Sequence, residues 1–521
     1  MHSQQPTGVE TVDQEALRGQ APLTNIAELI SRNVVAAPDR TAVVQGGADR
    51  RTLTWAELDS AVDKVAAGLA AHGLVAGHRV GLVGRNSIEF VVAYFAVLRA
   101  GFVAVPLDPS WGADTLREAL SECGTRVVLA ADPLHIDGSA ALPLTPDSLA
   151  ALGSEGVAPV MSPPDREALA ALVHTAGTSG PAKIAMLSHR ALLGYLESVQ
   201  ALNLADPDAV VAAALPLFGI FGLNGVLGTW AMAGATLAIA DSSGEDLIEV
   251  IEAERVTDLP LTPVLLQRLL RDDRLDTRTG SLRTVICSGA PLPASLAAAF
   301  TRHTDLPVHR LYGLTEAAPG VATTVSGDIH GPGHVGRVLP GVTVRIGQGA
   351  DRSEPGEIWI RADSLFSGYW PGGSGGPDAD GWFATGDIGY LRDDNLFVVD
   401  RAQDLIMVDG FHVYPAEIEE VIANLAGVSA VAVIGRPGGS HGEQVVAVVA
   451  GCGLDRQAVL DHCTAQLAKF KRPTEVLLVD ELPRAATGKI NKGALRQHLD
   501  TGEPGGAAQS QPAAESEEGA P

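Results

Sequence analysis

Between residue 25 and about residue 340, short apolar runs alternate with longer amphipathic ones. The runs Arg79–Val83, Val103–Pro106 and Arg126–Ala131 are apolar nearly throughout, as strands buried on both faces are. Helix-like segments separate them, one opening over Thr52–Asp63, an apolar one over Ile88–Ala100 and another over Thr115–Glu122. This alternation predicts an α/β architecture with mostly parallel strands. Residues 137–165, rich in Ala, Ser, Pro and Leu, read as a surface excursion. Over 335–400 the texture changes to short strands separated by turns such as Asp393-Asp394-Asn395, which predicts a β subdomain. Beyond Asp404 a compact α+β segment carries its own strands at Ala430–Ile434, Gln444–Ala450 and Thr474–Val479. The expected division is a disordered leader (1–24), a large N-terminal domain (25–402), a small C-terminal domain (403–500) and a disordered acidic tail (501–521).

Residues 209–240 carry no charge and are long enough to suggest a membrane span. Pro216, Gly219, Gly222, Gly225, Gly228 and Gly234 interrupt them, so the better reading is a strand (Ala209–Leu215), a turn, a glycine-rich helix and a second strand (Thr236–Ala240). Met1–Gln20 is polar and acidic, unlike a secretory leader.

Composition narrows the function. A chain of 521 residues that is 46% hydrophobic must fold, and a net charge of −25 without any basic stripe excludes a nucleic-acid binder. Cys123, Cys287, Cys452 and Cys463 lie far apart, which excludes a disulfide framework and a cysteine zinc site and places the chain in a reducing cytoplasm. Arginine has replaced lysine almost everywhere; the lysines are Lys64, Lys183, Lys469, Lys471, Lys489 and Lys492. Those that remain mark places suited to a compact ammonium rather than a planar fork.

Four segments carry chemistry. A strand (Ala168–Val173) leads into His174-Thr-Ala-Gly-Thr-Ser-Gly-Pro-Ala-Lys183, small and hydroxyl residues whose N–H groups and lysine suit phosphate oxygens. Cys287-Ser-Gly-Ala-Pro291 precedes Leu311-Tyr-Gly-Leu-Thr-Glu316, an aromatic able to stack on a base beside a carboxylate able to hold Mg²⁺. Gly381-Trp-Phe-Ala-Thr-Gly-Asp387, with Asp400-Arg401 after it, offers a carboxylate for ribose hydroxyls. Arg484-Ala-Ala-Thr-Gly-Lys489 puts a lysine on a glycine-flanked turn. Each alone reads equally as an ordinary turn or strand end.

In this order and spacing, the four resemble the motifs of the adenylate-forming superfamily, which includes acyl-CoA synthetases, carrier-loading adenylation domains and luciferases. Gly356–Arg361 with Gly368–Trp370, and Asp404–Pro415, match as well, the last looking most like bacterial fatty acyl-CoA synthetases. The resemblance implies an enzyme with a mobile C-terminal lid, ATP and Mg²⁺ as cofactors and CoA as co-substrate. It would activate a fatty or aryl acid as acyl-AMP and pass it to a thiol. The alternative acceptors are a carrier protein in trans, an amine or nitrite. A monomer or homodimer without an integral membrane segment is expected. By resemblance Thr175, Gly177, Thr178, Ser179, Gly180 and Lys183 grip phosphates, and Tyr312 and Gly313 lie on adenine beside Ser288, Gly289 and Ala290. Thr315 touches the α-phosphate, Glu316 ligates Mg²⁺, Asp387 and Arg401 hold the ribose, Lys489 bridges carboxylate and α-phosphate, and Gln403 is the hinge.

The departures from the family pattern gather on the acceptor and acid side. Gln403 replaces a charged hinge residue, Asp409 a small residue, His412 an asparagine and Ile184 a glycine. Gly219 stands where relatives carry a histidine or aromatic, next to Phe218, Phe221 and Gly222 in the expected acid pocket. Gly219, Gly222, Gly225 and Gly228 would form one bare helical stripe, open to a substrate or packed tightly against the sheet.

Overall fold

The computed structural model describes residues 22–501 apart from 48–49, 133–139, 154–163, 176–181, 203–205, 242, 326, 332, 348–352, 409–410, 438–441 and 485–488. Helices begin where capping residues precede apolar periodicity. Thr54 and Glu57 form a reciprocal capping box on Trp55–Ala71, and the hydroxyls of Ser87 and Ser188 cap Ile88–Arg99 and His189–Ala201.

Two sheets make up the N-terminal part. One has six strands in the order Ala140–Pro143, Thr125–Ala130, Arg79–Val83, Val103–Leu107, Leu169–His174 and Ile184–Ser188, all parallel except the last pair. The other has 13 strands. Its parallel body runs Val308–Gly313, Thr284–Ser288, Asp258–Leu261, Val210–Ala213, Thr236–Ile239, Thr41–Gln45. Arg51–Thr54 closes one edge antiparallel. On the other side the short strands expected over 335–400 join as an antiparallel wing, from His334–Val338 to Asn395–Arg401.

Between the sheets Trp55 stacks on Trp230 at 4.9 Å, and Phe95 meets Trp230 edge-on at 6.0 Å. All three are fully buried, each contributing about 1.5–3 kcal/mol by burial. The Trp230 indole donates to the carbonyls of Ala42 and Ala235. Asn86 pins one sheet to the other: its amide donates to the carbonyls of Ala213 and Leu215 at 2.9 Å and its oxygen accepts from Leu217 N.

Of the excursion expected over 137–165, residues 140–143 join the sheet; 137–139 and 154–163 lie outside the described residues. Ala140–Pro143 pairs with Thr125–Ala130, and the helix Pro146–Leu152 packs on Gly68. Four residues of strand give too short a pattern to read, whereas Thr145-Pro146 is a sound helix start. The uncharged stretch holds the strand Val210–Ala213, a π-helix Phe221–Val226, the α-helix Leu227–Ala233 and the strand Thr236–Ile239. Among the described residues no helix is long and apolar enough to cross a membrane.

After a 3₁₀ turn at Ala402–Asp404 comes the hairpin Ile406–Val408 with Phe411–Val413. A three-stranded sheet follows: Val428–Pro437, Glu443–Gly451 and Glu475–Val479. Its strands alternate. Val433, Val445, Ala447 and Val449 pack with Ile418 and Cys463 on one face, while Ile434, Val446 and Val448 pack with Leu482 and Leu495 on the other.

Candidate active site

Parallel strands of an open sheet present their carboxyl ends, and the loops after them, as a crevice. Ser288 and Gly313 end two neighbouring strands, with Ser288 opposite Leu311 in register. Gly289 lies in the left-handed region at φ 88°, and among the described residues the only atom near its bare face is Thr262 Cγ2 at 3.6 Å. Ala290 follows directly. Gly313 is obligatory, because a Cβ there would collide with the Pro319 carbonyl as the chain doubles back through the 3₁₀ turn Thr315–Ala317.

Two tyrosine–carboxylate pairs stand in this crevice. Tyr312 Oη donates to Asp387 Oδ2 at 2.6 Å, and Arg401 Nε lies 3.2 Å from Asp387 Oδ1. Asp387 and Arg401 face each other across adjacent strands, which fixes that pair. Burial, then the Asp387 charge, push the Tyr312 phenol well above its usual range. The second pair is Tyr369 Oη donating to Glu316 Oε1 at 2.6 Å; burial and Glu316 hold this phenol protonated too.

Lys489 comes from the C-terminal segment and lies within electrostatic reach of Asp387, Glu316 and Arg401. Burial pulls its ammonium down to about 8 and Arg401 pushes the same way, while Asp387 and Glu316 oppose. Next to Lys489, Ile490 bridges Arg484, and Asn491 N donates to the Pro483 carbonyl at 2.8 Å.

At the loop after Leu169–His174, Thr175 N donates to the Lys183 carbonyl at 2.8 Å and Lys183 N to Thr175 Oγ1 at 3.0 Å. The Lys183 ammonium sits 4.6 Å above the Tyr369 ring. Gly177, Thr178, Ser179, Gly180 and Asp409 lie outside the described residues. Gln403 is exposed within its 3₁₀ turn, and His412 is exposed on the hairpin.

The glycine stripe is mostly filled. A Cβ on Gly222 would strike the Pro216 carbonyl, one on Gly225 the Phe221 ring and one on Gly228 Asn224 Oδ1. Only Gly219 is open, its nearest neighbour the Pro216 carbonyl at 3.7 Å. The π-turn breaks the simple helical spacing from which one bare face was expected. Below it an apolar cavity of about 110 Å³ lies among Phe221, Gly225, Tyr195, Leu311 and Leu339. It follows the sheet toward Asp258 and Thr284, at the opposite ends of their strands.

Sequence reasoning missed three residues here. Tyr369 lay inside a quoted motif without a role. Asn86, and Asn224, whose amide donates to the carbonyls of Leu192 and Ala318, were not singled out. A buried asparagine between apolar runs was the available signal.

Fold and crevice define an α/β protein with a candidate site at the carboxyl ends of parallel strands, within electrostatic reach of a C-terminal lysine. The family profile for the AMP-binding enzyme matches residues 30–370, and that for the AMP-binding enzyme C-terminal domain matches 417–489. A feruloyl-CoA synthase of Amycolatopsis sp is 34% identical, over 89% of this chain and 96% of its own. A long-chain-fatty-acid–CoA ligase of Mycobacterium tuberculosis is 30% identical, over 91% and 98%. The ATP-bound structure of MatB from Rhodopseudomonas palustris superposes with a TM-score of 0.83 at 30% identity, covering 92% of this chain and 99% of that one. The chain belongs to the AMP-binding enzyme family, and it is an AMP-forming ligase.

Proposed function

We propose that this ligase activates an apolar carboxylic acid with ATP and transfers the acyl group to CoA in the cytoplasm. The observation that carries the reading is the crevice in which Asp387 pairs with Tyr312 and Arg401 and Glu316 pairs with Tyr369, with the half-buried Lys489 ammonium within their electrostatic reach. Two anions, a carboxylate and a triphosphate, must meet there, and a partly desolvated ammonium between them stabilises the charge that moves. The carboxylate oxygen attacks the α-phosphorus, the bond to the β-phosphate oxygen breaks, and pyrophosphate leaves. A thiol sulfur then attacks the acyl carbon and AMP departs with the carbon–oxygen bond electrons.

In this reading Tyr312 and Gly313 face the base, with Ser288, Gly289 and Ala290 at its edge. Asp387 keeps lone pairs for ribose hydroxyls beside Arg401. Thr175, Lys183 and the loop glycines and hydroxyls Gly177, Thr178, Ser179 and Gly180 take the outer phosphates, and Thr315 the α-phosphate. Glu316 suits Mg²⁺: Oε1 accepts from Tyr369, and among the described residues Oε2 accepts no hydrogen bond. One carboxylate oxygen plus substrate phosphates is a usual donor set for that ion, which when bound neutralises triphosphate charge. The domain from residue 403 acts as a lid hinged near Gln403, bringing Lys489 in for the first step and removing it for the second.

The acid's tail occupies the cavity past Phe218, Gly219 and Phe221. At about 110 Å³ it is smaller than a ~150 Å³ cavity that accepts benzene, which favours a slender tail. The test is pyrophosphate release across straight-chain and aryl acids and nitrite, with and without CoA. Acid-dependent AMP and pyrophosphate, with a CoA thioester by mass, is expected. Nitrite-dependent turnover, transfer only to a carrier protein or amine, or ADP as product would overturn the reading.

A further inference from the structure

Tyr369 is joined to two chemically distinct groups that come from distant parts of the chain. Its hydroxyl donates to Glu316 Oε1 at 2.6 Å, and its ring face lies 4.6 Å from the Lys183 ammonium. The backbone around it is laced to both. Phe366 N donates to the Glu316 carbonyl at 2.9 Å, so the segment bearing Tyr369 starts on the turn bearing its partner. Trp370 N donates to the Ile184 carbonyl, Met186 N to the Gly368 carbonyl and Ser367 N to the Met186 carbonyl, at 2.9–3.0 Å. These bonds fasten it to the strand that follows Lys183. Beyond it, the Trp370 indole donates to the Glu122 carbonyl at 2.9 Å, and Tyr369 N and carbonyl bond Ser374 and Gly373. Phe366 packs edge-on against the ring at 4.9 Å. These hydrogen bonds fix the backbone of Tyr369 between the segments that carry its two partners.

We propose that Tyr369 is a positioning residue that sets the metal-binding carboxylate and the phosphate-loop lysine at a fixed distance from each other. This rests on the functional reading above. The hydroxyl occupies Oε1 of Glu316 and would leave Oε2 for a bound cation. The ring holds Lys183 by a cation–π contact, so the flexible lysine is already ordered when the triphosphate arrives. The two parts of the side chain therefore have separable effects.

The test uses Tyr369→Phe, which removes only the hydroxyl, and Tyr369→Leu, which removes the ring as well. ATP binding is measured calorimetrically in EDTA, and Mn²⁺ binding to the ATP complex by electron paramagnetic resonance. Tyr369→Phe should leave metal-free ATP affinity within about twofold and weaken Mn²⁺ about tenfold, the cost of ordering a carboxylate that the hydroxyl no longer holds. Tyr369→Leu should weaken Mn²⁺ similarly and also raise the metal-free ATP Kd about three- to fivefold. Glu316→Gln combined with Tyr369→Phe should bind Mn²⁺ no worse than Glu316→Gln alone, because the hydroxyl acts only through that carboxylate. Additive losses, or a Tyr369→Phe titration that overlays the wild type, overturn the proposal. Wild-type protein that fails to bind ATP at all overturns the functional reading instead.

Discussion

Replacing Lys489 by arginine tests its ionisation directly. In the free enzyme its ammonium is held at about 8, burial being the main cause, with Arg401 adding repulsion against the attraction of Asp387 and Glu316. The charged form is the active one, so activity should be lost as pH rises through that value. With one such group, roughly half the enzyme is competent at pH 8 and about a tenth at pH 9. The profile of kcat/KM for ATP, measured by pyrophosphate release, should therefore be flat below pH 7 and fall about tenfold per unit above 8.5. The kcat profile should fall at higher pH, because bound triphosphate and carboxylate favour the ammonium. Lys489→Arg should be slow but lose this alkaline limb, since a guanidinium stays charged throughout. A wild-type kcat/KM that stays level to pH 9.5, or an alkaline limb that persists unchanged in Lys489→Arg, would refute the reasoning.

Lys489→Ala should slow pyrophosphate release about 10²–10³-fold, the typical loss of a preorganised donor to developing charge, and leave transfer from supplied acyl-AMP nearly intact in a stopped-flow thioester assay. Glu316→Gln should raise the Mg²⁺ concentration for half-maximal adenylation, read from metal titrations of the initial rate. Gly219→Ala should fold with a melting temperature close to wild type and narrow the range of acids accepted, because a Cβ there would make ordinary contact with the Pro216 carbonyl 3.7 Å away, beside the expected acid pocket. Gly222→Ala should lower stability by about 1–3 kcal/mol in urea melts, because its methyl group meets the Pro216 carbonyl.

The parallel strands were legible because both faces are buried, which makes Arg79–Val83 and Val103–Leu107 continuous apolar runs. The strand Ala140–Pro143 was not: exposed alanines at a sheet edge carry no such signal. The π-turn was hidden too, since it follows from the Pro216 carbonyl and Asn224 needing room that only glycines leave. At the site, the glycine-flanked motifs marked Tyr312, Asp387 and Arg401, which the fold brings together, and Glu316, which Tyr369 joins. They could not show that Tyr369 would reach Glu316 across 53 positions of chain, because that contact depends on the antiparallel lacing of residues 366–370 onto Ile184–Ser188. Nor did spacing reveal that two tyrosines would each hold one carboxylate of the crevice.

Isotope transfer from the acid tests the central claim most directly. The best acid from the pyrophosphate screen, labelled with ¹⁸O in both carboxylate oxygens, is incubated with the enzyme, ATP, Mg²⁺ and CoA, and the nucleotide product is weighed by mass spectrometry. If the carboxylate attacks the α-phosphorus, the product is AMP carrying one ¹⁸O atom. Unlabelled AMP, or label found in inorganic phosphate beside ADP, would contradict the adenylate route.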